Sequence, residues 1–344
     1  MNIILVVMDS VREDHFRPPL PDATRFLDAY SAGCWTVPSA ASLLTGMWPQ
    51  DARAAGLEQD EAAEPLTLAD YLSRQGYTCE ASWLPSYAHM RRGFGMWADI
   101  ERDDDNAHVM RAIKRIQSGG DHQFIVLWLF AGHWPYQGLA AIDYPSQVRD
   151  FVRRGMPPAR PDPPISRAPR IVEQTTQGEP NGREQPEITA EELRVLKEQY
   201  REACGATVDR VSAVWREASA HNWAVLVTAD HGEQFLEHGE MGHTALAPEN
   251  IRVPLYARIP DLAPGMRSGI ASHVDVAATV MVLGGAGIPA GIPGCDLRET
   301  PAARDVYVET GWGLAPDARV TIAADSAAPD ARHIEALKAV GYVD

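Results

Sequence analysis

Acidic residues and histidines in this sequence stand where apolar runs stop, the places at which a fold most readily presents chemistry. The run at residues 3–8 ends at Asp9, and the run at residues 223–228 ends just before Asp230 and His231. Two carboxylates and an imidazole form a donor set that suits Zn2+ or Mn2+ better than Ca2+, which prefers an all-oxygen shell. A third run, residues 124–130, ends just before Gly132 and His133. Asp-His-Gly alone could be a turn, but His231, His238 and His243 fall within thirteen residues among glycines and acids. His243 is the candidate to face a substrate as proton donor or charge stabiliser, and His238 reads as a loop histidine. Thr36 opens a stretch through Pro38, Leu43 and Leu44 to Gly46 that has the pattern of a short helix. Its plainest role is that of N-cap, with Pro38 in the first turn. A helix start also gathers free N–H groups and the positive dipole end, so it can bind a phosphoryl or sulfuryl group and acidify a hydroxyl placed there. A metal ion held by the strand-end carboxylates would make Thr36 a candidate nucleophile.

The elements that must position these residues follow from hydrophobic periodicity. Residues 3–8 are continuously apolar and rich in β-branched types, the signature of a strand covered on both faces in a parallel sheet. In such sheets ligands bind beyond the carboxyl ends of the strands, where Asp9, His133, Asp230 and His231 would gather. Parallel strands need helical crossovers. One is predicted over residues 66–76, before a strand at residues 77–81; a longer one starts at Thr189, with Glu192 closing a capping box, and reaches Trp215 with a break near Gly205. Residues 156–187 hold eight prolines and no sustained period, which predicts a surface insertion within one domain. The expected architecture is α/β, a mostly parallel central sheet sandwiched by helices. Residues 1–300 would form the catalytic domain and residues 301–344 a small C-terminal subdomain packed on it.

Composition narrows the function classes. With 344 residues, 45% hydrophobic and 23% charged, the chain has globular proportions. Its 31 Lys and Arg against 47 Asp and Glu leave a net charge of −16, which disfavours nucleic acid and anionic membranes as partners. No stretch approaches the roughly 20 apolar residues of a spanning helix, so no membrane anchor is expected. The four cysteines, Cys34, Cys79, Cys204 and Cys295, are too widely spaced for a disulfide framework or a cysteine zinc site, and with the absence of a leader this predicts a cytoplasmic protein. Trp35, Trp48, Trp83, Trp134 and Trp312 are pocket walls for an apolar or sugar-like group or, more simply, core residues. Arg91-Arg92 could hold a second anionic group but reads more simply as a solvated loop pair. Asp103, Asp104 and Asp105 read as a solvated turn, lacking calcium-ligand spacing.

Several segments together resemble the alkaline phosphatase superfamily, and within it the sulfatase-like hydrolases and phosphotransferases. They are residues 2–15, residues 35–46, His133-Trp134-Pro135-Tyr136, Asp230-His231-Gly232-Glu233, Gly242-His243 followed by residues 251–255, residues 273–279 and residues 337–343, in family order from end to end. The resemblance implies that Asp9, Asp230 and His231 are metal ligands and that Thr36 is the nucleophile and also touches the metal. It implies that His133 and His243 contact oxygens of the transferred group or the leaving group. Arg12, after the first ligand, would act electrostatically.

The departures from the family pattern set the expected subtype. Sulfatases place Cys or Ser at the nucleophile, followed by x-Pro-x-Arg, and convert it to formylglycine. Here Thr36 occupies that position and Ala40 replaces the Arg; threonine cannot become formylglycine, and Cys34 lies two residues too early. Ser10 stands where a paired Asp is usual, and no Asp-x-x-x-His segment supplies a second site, so one Zn2+ or Mn2+ ion is expected. The expected function is hydrolysis or transfer of a small-molecule phosphate ester (phosphodiester, phosphonate or phosphomonoester) through Thr36. The alternatives are sulfate ester hydrolysis without formylglycine and, from another class, non-catalytic binding of a phosphorylated or sulfated ligand.

Overall fold

β1 (Ile3–Met8) is six apolar residues with no exposed surface, and burying each such side chain contributes about 1.5–3 kcal/mol. A strand of that kind belongs at the centre of a covered sheet. In the computed structural model β1 lies between β5 (Gln123–Leu129) and β6 (Ala224–Ala229), parallel to both, with Met8 level with Leu129 and Ala229. That register brings Asp9, the turn after Leu129, and Asp230 to one end of the sheet. The structure describes residues 1–54, 65–85, 88–97, 104–134, 136, 189–238, 241–243, 245–299, 304–309 and 319–322.

The central sheet adds β2 (Thr24–Tyr30), β3 (Thr78–Ala81), β4 (Gly95–Met96), β9 (Leu255–Arg258) and β10 (Gly265–Ser272), in the order β10-β2-β9-β6-β1-β5-β3-β4. Only β9 pairs antiparallel with its neighbours in this sheet, so it is mostly parallel, as expected. Two ribbons stand apart from it: β7 (Gln234–Phe235) with β8 (Met241–Gly242), and β11 (Val306–Glu309) with β12 (Arg319–Ile322). Glu309 donates its N–H to the Ala32 carbonyl, tying the C-terminal ribbon to the loop that leads to Thr36.

The helices are α1 (Thr36–Thr45), α2 (Pro49–Ala54), α3 (Leu68–Ser73), α4 (Ala88–Arg91), α5 (Asp105–Ser118), α6 (Ala190–Ala220), α7 (Pro248–Ile251) and α8 (His273–Leu283). α5 and α6 pack on each other and on the three central strands, while α1, α3 and α8 form a second group. α6 opens with the expected capping box, Thr189 accepting from Glu192 N–H while the Glu192 carboxylate accepts from Thr189.

Three expectations are corrected. α6 does not break at Gly205: glycine costs about 1 kcal/mol in a helix interior, and a buried face from Leu196 to Trp215 outweighs it. Arg92 is not solvated, since it forms an ion pair at 2.7 Å with Asp70, and Arg91 donates to the Pro85 and Leu84 carbonyls. Asp104 caps α5, and Asp105 is buried, its two oxygens accepting from Phe130 and Ala131 N–H at 2.7 and 2.9 Å. Residues 156–187, Asp103, Trp312 and residues 337–343 lie outside the described residues. None of the four cysteines forms a disulfide, and among the described residues no helix is long and apolar enough to cross a membrane.

Candidate active site

Asp9 follows β1, and Asp230 and His231 follow β6, so the parallel register alone brings them together. Their ligand atoms lie within 4.8 Å of one another and all three residues are buried. The His231 Nε2 atom is 3.3 Å from Asp230 Oδ2 and 3.9 Å from Asp9 Oδ1. Gly132 and Gly232 permit this convergence. A Cβ on Gly132 would stand 2.7 Å from the Asp9 carbonyl, and one on Gly232 would overlap the Glu249 carbonyl, so each chain crossing requires glycine.

The donor chemistry fits a divalent cation. His231 donates Nδ1–H to the Gly232 carbonyl at 2.8 Å, which leaves the Nε2 lone pair directed at the carboxylates. Burial holds the imidazole below its ordinary pKa, in the neutral form that ligates metals. The Asp230 carboxyl is pushed well above its ordinary value, first by burial and then by the Asp9 charge beside it. Asp230 Oδ2 is buried with no hydrogen-bond partner, an orphan that a cation would satisfy. Asp230 Oδ1 is engaged, accepting from the N–H groups of Ser10 and His231 at 3.0 and 2.8 Å.

Thr36 meets this cluster from α1. Its Oγ1 is 3.2 Å from His231 Nε2. It does not cap the helix: Trp35 is the N-cap and Thr36 the first helical residue, with no side-chain cap bond at that end. The hydroxyl, freed from that duty, meets His231 beside the positive end of a ten-residue helix.

The two further histidines arrive on separate loops. His133 donates Nδ1–H to the Trp134 carbonyl at 2.6 Å, in the turn whose backbone Asp105 holds. His243 follows β8, and its ring centroid is 4.3 Å from that of His231 and 5.8 Å from that of His133. His238 is 3.0 Å from Glu249, as befits a loop histidine. Arg12 spends its guanidinium on Asp14 and Glu237, both at 2.8 Å, and on the Glu233 carbonyl, so it ties the β6–β7 loop to the end of β1.

Sequence reasoning missed several supporting residues. Ser10, with φ of 59°, donates its hydroxyl to Asp9 Oδ1 at 3.0 Å, and Trp128 donates Nε1–H to Asp9 Oδ2 at 3.3 Å. Tyr200 of α6 donates to the Ser10 carbonyl and accepts from Arg12 N–H, fixing the turn that carries Asp9. A tryptophan one residue before the end of a core strand was the available signal for Trp128, whereas nothing local marks Tyr200. Among the other tryptophans Trp48 is buried in the core, and Trp83, half-buried, packs against Trp128 with ring centroids 5.4 Å apart.

Known proteins share the family and the fold. Residues 1–286 match the family model described as Sulfatase. The chain is 28% identical over 139 residues to Arylsulfatase K of Xenopus laevis, covering 37% of this chain and 26% of that protein, so the match spans about a quarter of that relative. The fold is shared with the phosphonate monoester hydrolase of Agrobacterium radiobacter (TM-score 0.64, 15% identity, 94% of this chain and 85% of that one). It is also shared with a 2-O GAG sulfatase (TM-score 0.63, 14% identity, 94% and 81%). A family match over most of its length, on this sheet and with this strand-end cluster, makes the chain a member of the sulfatase family of hydrolases, within the alkaline phosphatase superfamily.

Proposed function

We propose that this chain hydrolyses or transfers a small-molecule phosphate ester, a diester or phosphonate foremost, through Thr36. The observation that carries this reading is the Thr36 hydroxyl 3.2 Å from Nε2 of His231, the histidine that clusters with the two buried carboxylates. Asp9, Asp230, His231 and the Thr36 hydroxyl would hold one divalent cation, Zn2+ or Mn2+. Bound there, the ion would supply Lewis-acid charge compensation and lower the pKa of an adjacent hydroxyl. Thr36, having lost its proton to solvent, attacks phosphorus in line, and the bond to the leaving oxygen breaks. The first turn of α1 attracts the anionic group to the reaction centre. His133 and His243 meet its oxygens and the departing group. Water, or a second alcohol, then attacks phosphorus in the Thr36 adduct, which still carries the substrate's retained substituent, and releases Thr36.

Sulfate ester hydrolysis is the second reading, favoured by the family match and by the similarity to Arylsulfatase K. Relatives of this fold include both ester classes, so the nucleophile carries the choice. Formylglycine chemistry needs Cys or Ser where this chain has Thr36, and phosphoryl transfer does not. The test is turnover of an aryl phosphomonoester, phosphodiester, phosphonate ester and sulfate by the full chain reloaded with Zn2+ or Mn2+. Preference for diester or phosphonate, lost in Thr36→Ala, supports the proposal. Preference for sulfate supports the second reading, and no turnover with any of the four points to a ligand-binding protein.

A further inference from the structure

Glu233 has no role in the chemistry so far, yet it is a carboxylate only 2% exposed at the edge of the site. Burying a carboxylate costs several kcal/mol unless it meets a partner. Its partner is His243: both carboxylate oxygens lie 3.4 Å from His243 Nδ1. The pairing is built into the β7–β8 ribbon, where Gln234 faces Gly242 and Phe235 faces Met241, so positions 233 and 243 are the next cross-strand neighbours. Asn250 donates from one amide nitrogen to the Gln234 side chain and to the Ala245 carbonyl, clamping both sides of the ribbon. Arg12 donates to the Glu233 carbonyl and pairs with Glu237, anchoring the same ribbon to the end of β1. The two substrate-facing histidines therefore differ: His133 is backed by a peptide carbonyl, His243 by a buried carboxylate.

We propose that Glu233 is the positioning residue that makes His243 the proton donor to the leaving group. This rests on the Thr36 reading above. The carboxylate takes Nδ1–H and fixes the ring, which reserves the other nitrogen, Nε2, for the reaction centre. As the phosphorus bond to the leaving oxygen breaks, that oxygen takes the Nε2 proton and departs as an alcohol. In the second half the neutral Nε2 takes a proton from the attacking water, its oxygen bonds to phosphorus, and Thr36 leaves as the alkoxide. His243 returns to its starting state and protons balance over the cycle.

The test is turnover of aryl phosphodiesters, with leaving phenols from nitrophenol to phenol, by metal-loaded wild type, E233Q, His243→Ala and Thr36→Ala. A lost proton donor matters most for the poorest leaving group, and such donors are worth about 10²- to 10⁴-fold. E233Q is expected to lower kcat roughly hundredfold with the phenyl ester and under about tenfold with the nitrophenyl ester, at unchanged KM. His243→Ala should steepen the leaving-group dependence in the same way. Equal losses across the series in E233Q would overturn the proposal. If E233Q does not fold, a leaving-group dependence in His243→Ala no steeper than in wild type overturns it instead. Ring-nitrogen NMR of the metal-free, histidine-labelled chain reads the pairing without activity: His243 should be protonated at Nδ1 in wild type and lose that fixed state in Glu233→Leu, and an unchanged spectrum counts against it. Full activity in Thr36→Ala would instead defeat the nucleophile reading, so the two failures are distinguishable.

Discussion

Two buried histidines flank the end of β6, and they do opposite things. His273, at the start of α8, donates Nε2–H to the Ala229 carbonyl at 2.9 Å and accepts the Ala32 N–H on Nδ1. Both of its nitrogens are used to join α8, β6 and the loop before α1. His231, two residues beyond Ala229, uses only Nδ1 in that manner and turns Nε2 to two carboxylates and the Thr36 hydroxyl. Burial pushes both imidazoles toward the neutral form, His273 down to about 3. Burial and lowered basicity therefore do not separate a structural histidine from a candidate ligand. The partner of the second nitrogen does.

The sharpest way to break this comparison is to remove each ring in turn. His231→Ala is expected to reduce turnover of the metal-loaded enzyme by about a thousandfold or more while the chain stays folded, because charge compensation at the reaction centre is worth several kcal/mol. His273→Ala is expected to act on stability, costing about 3–4 kcal/mol through the cavity and two orphaned backbone groups, with turnover per folded molecule retained. Thermal melts and steady-state rates on both variants decide the matter; loss of turnover in folded His273→Ala would erase the distinction.

A smaller effect sharpens the ligand side. Zn2+ or Mn2+ at a hundredfold excess over Kd should stabilise the wild type by about 2.7 kcal/mol, and Asp230→Asn should lose most of that gain. An equal upward shift of Tm in both would place the metal elsewhere. The smallest effect, about 2 kcal/mol across the window tested, concerns pH. His273 binds its proton at about 3 in the folded state and near 6.5 when unfolded, so the unfolded chain holds more protons between these values. Its share of stability is complete above about pH 6.5 and is lost as the pH falls toward about 3, at up to about 1.4 kcal/mol per pH unit. His273→Gln should flatten the slope of denaturant midpoint against pH between 6 and 4.5, and an unchanged slope would mean that this ring does not carry it.

Much of the site was legible in the sequence, for a physical reason. β1 and β6 are uninterrupted apolar runs, and a parallel register leaves no freedom in where Asp9 and Asp230 end up relative to each other. Misreadings arose where a residue's environment is supplied from far along the chain. Asp105 looks solvated among its acidic neighbours and is buried because N–H groups 25 and 26 residues away converge on it. Arg92 looks like a loop charge until Asp70, 22 residues earlier, takes it up. The antiparallel β9 carries no local mark of its direction. Glu233 and His243 were both in the quoted motifs, but their pairing depends on a ribbon of two residues a side, shorter than any periodicity can reveal.

The most direct test of the central claim is to stop the metal-loaded chain with acid during turnover of an aryl phosphodiester and map its peptides by mass, since phosphate esters of threonine survive acid. The expected result is a phosphoryl group bearing the substrate's retained ester substituent on the peptide carrying Thr36, absent from Thr36→Ala, which is also inactive. Steady turnover with no adduct on Thr36, undiminished in Thr36→Ala, would contradict it.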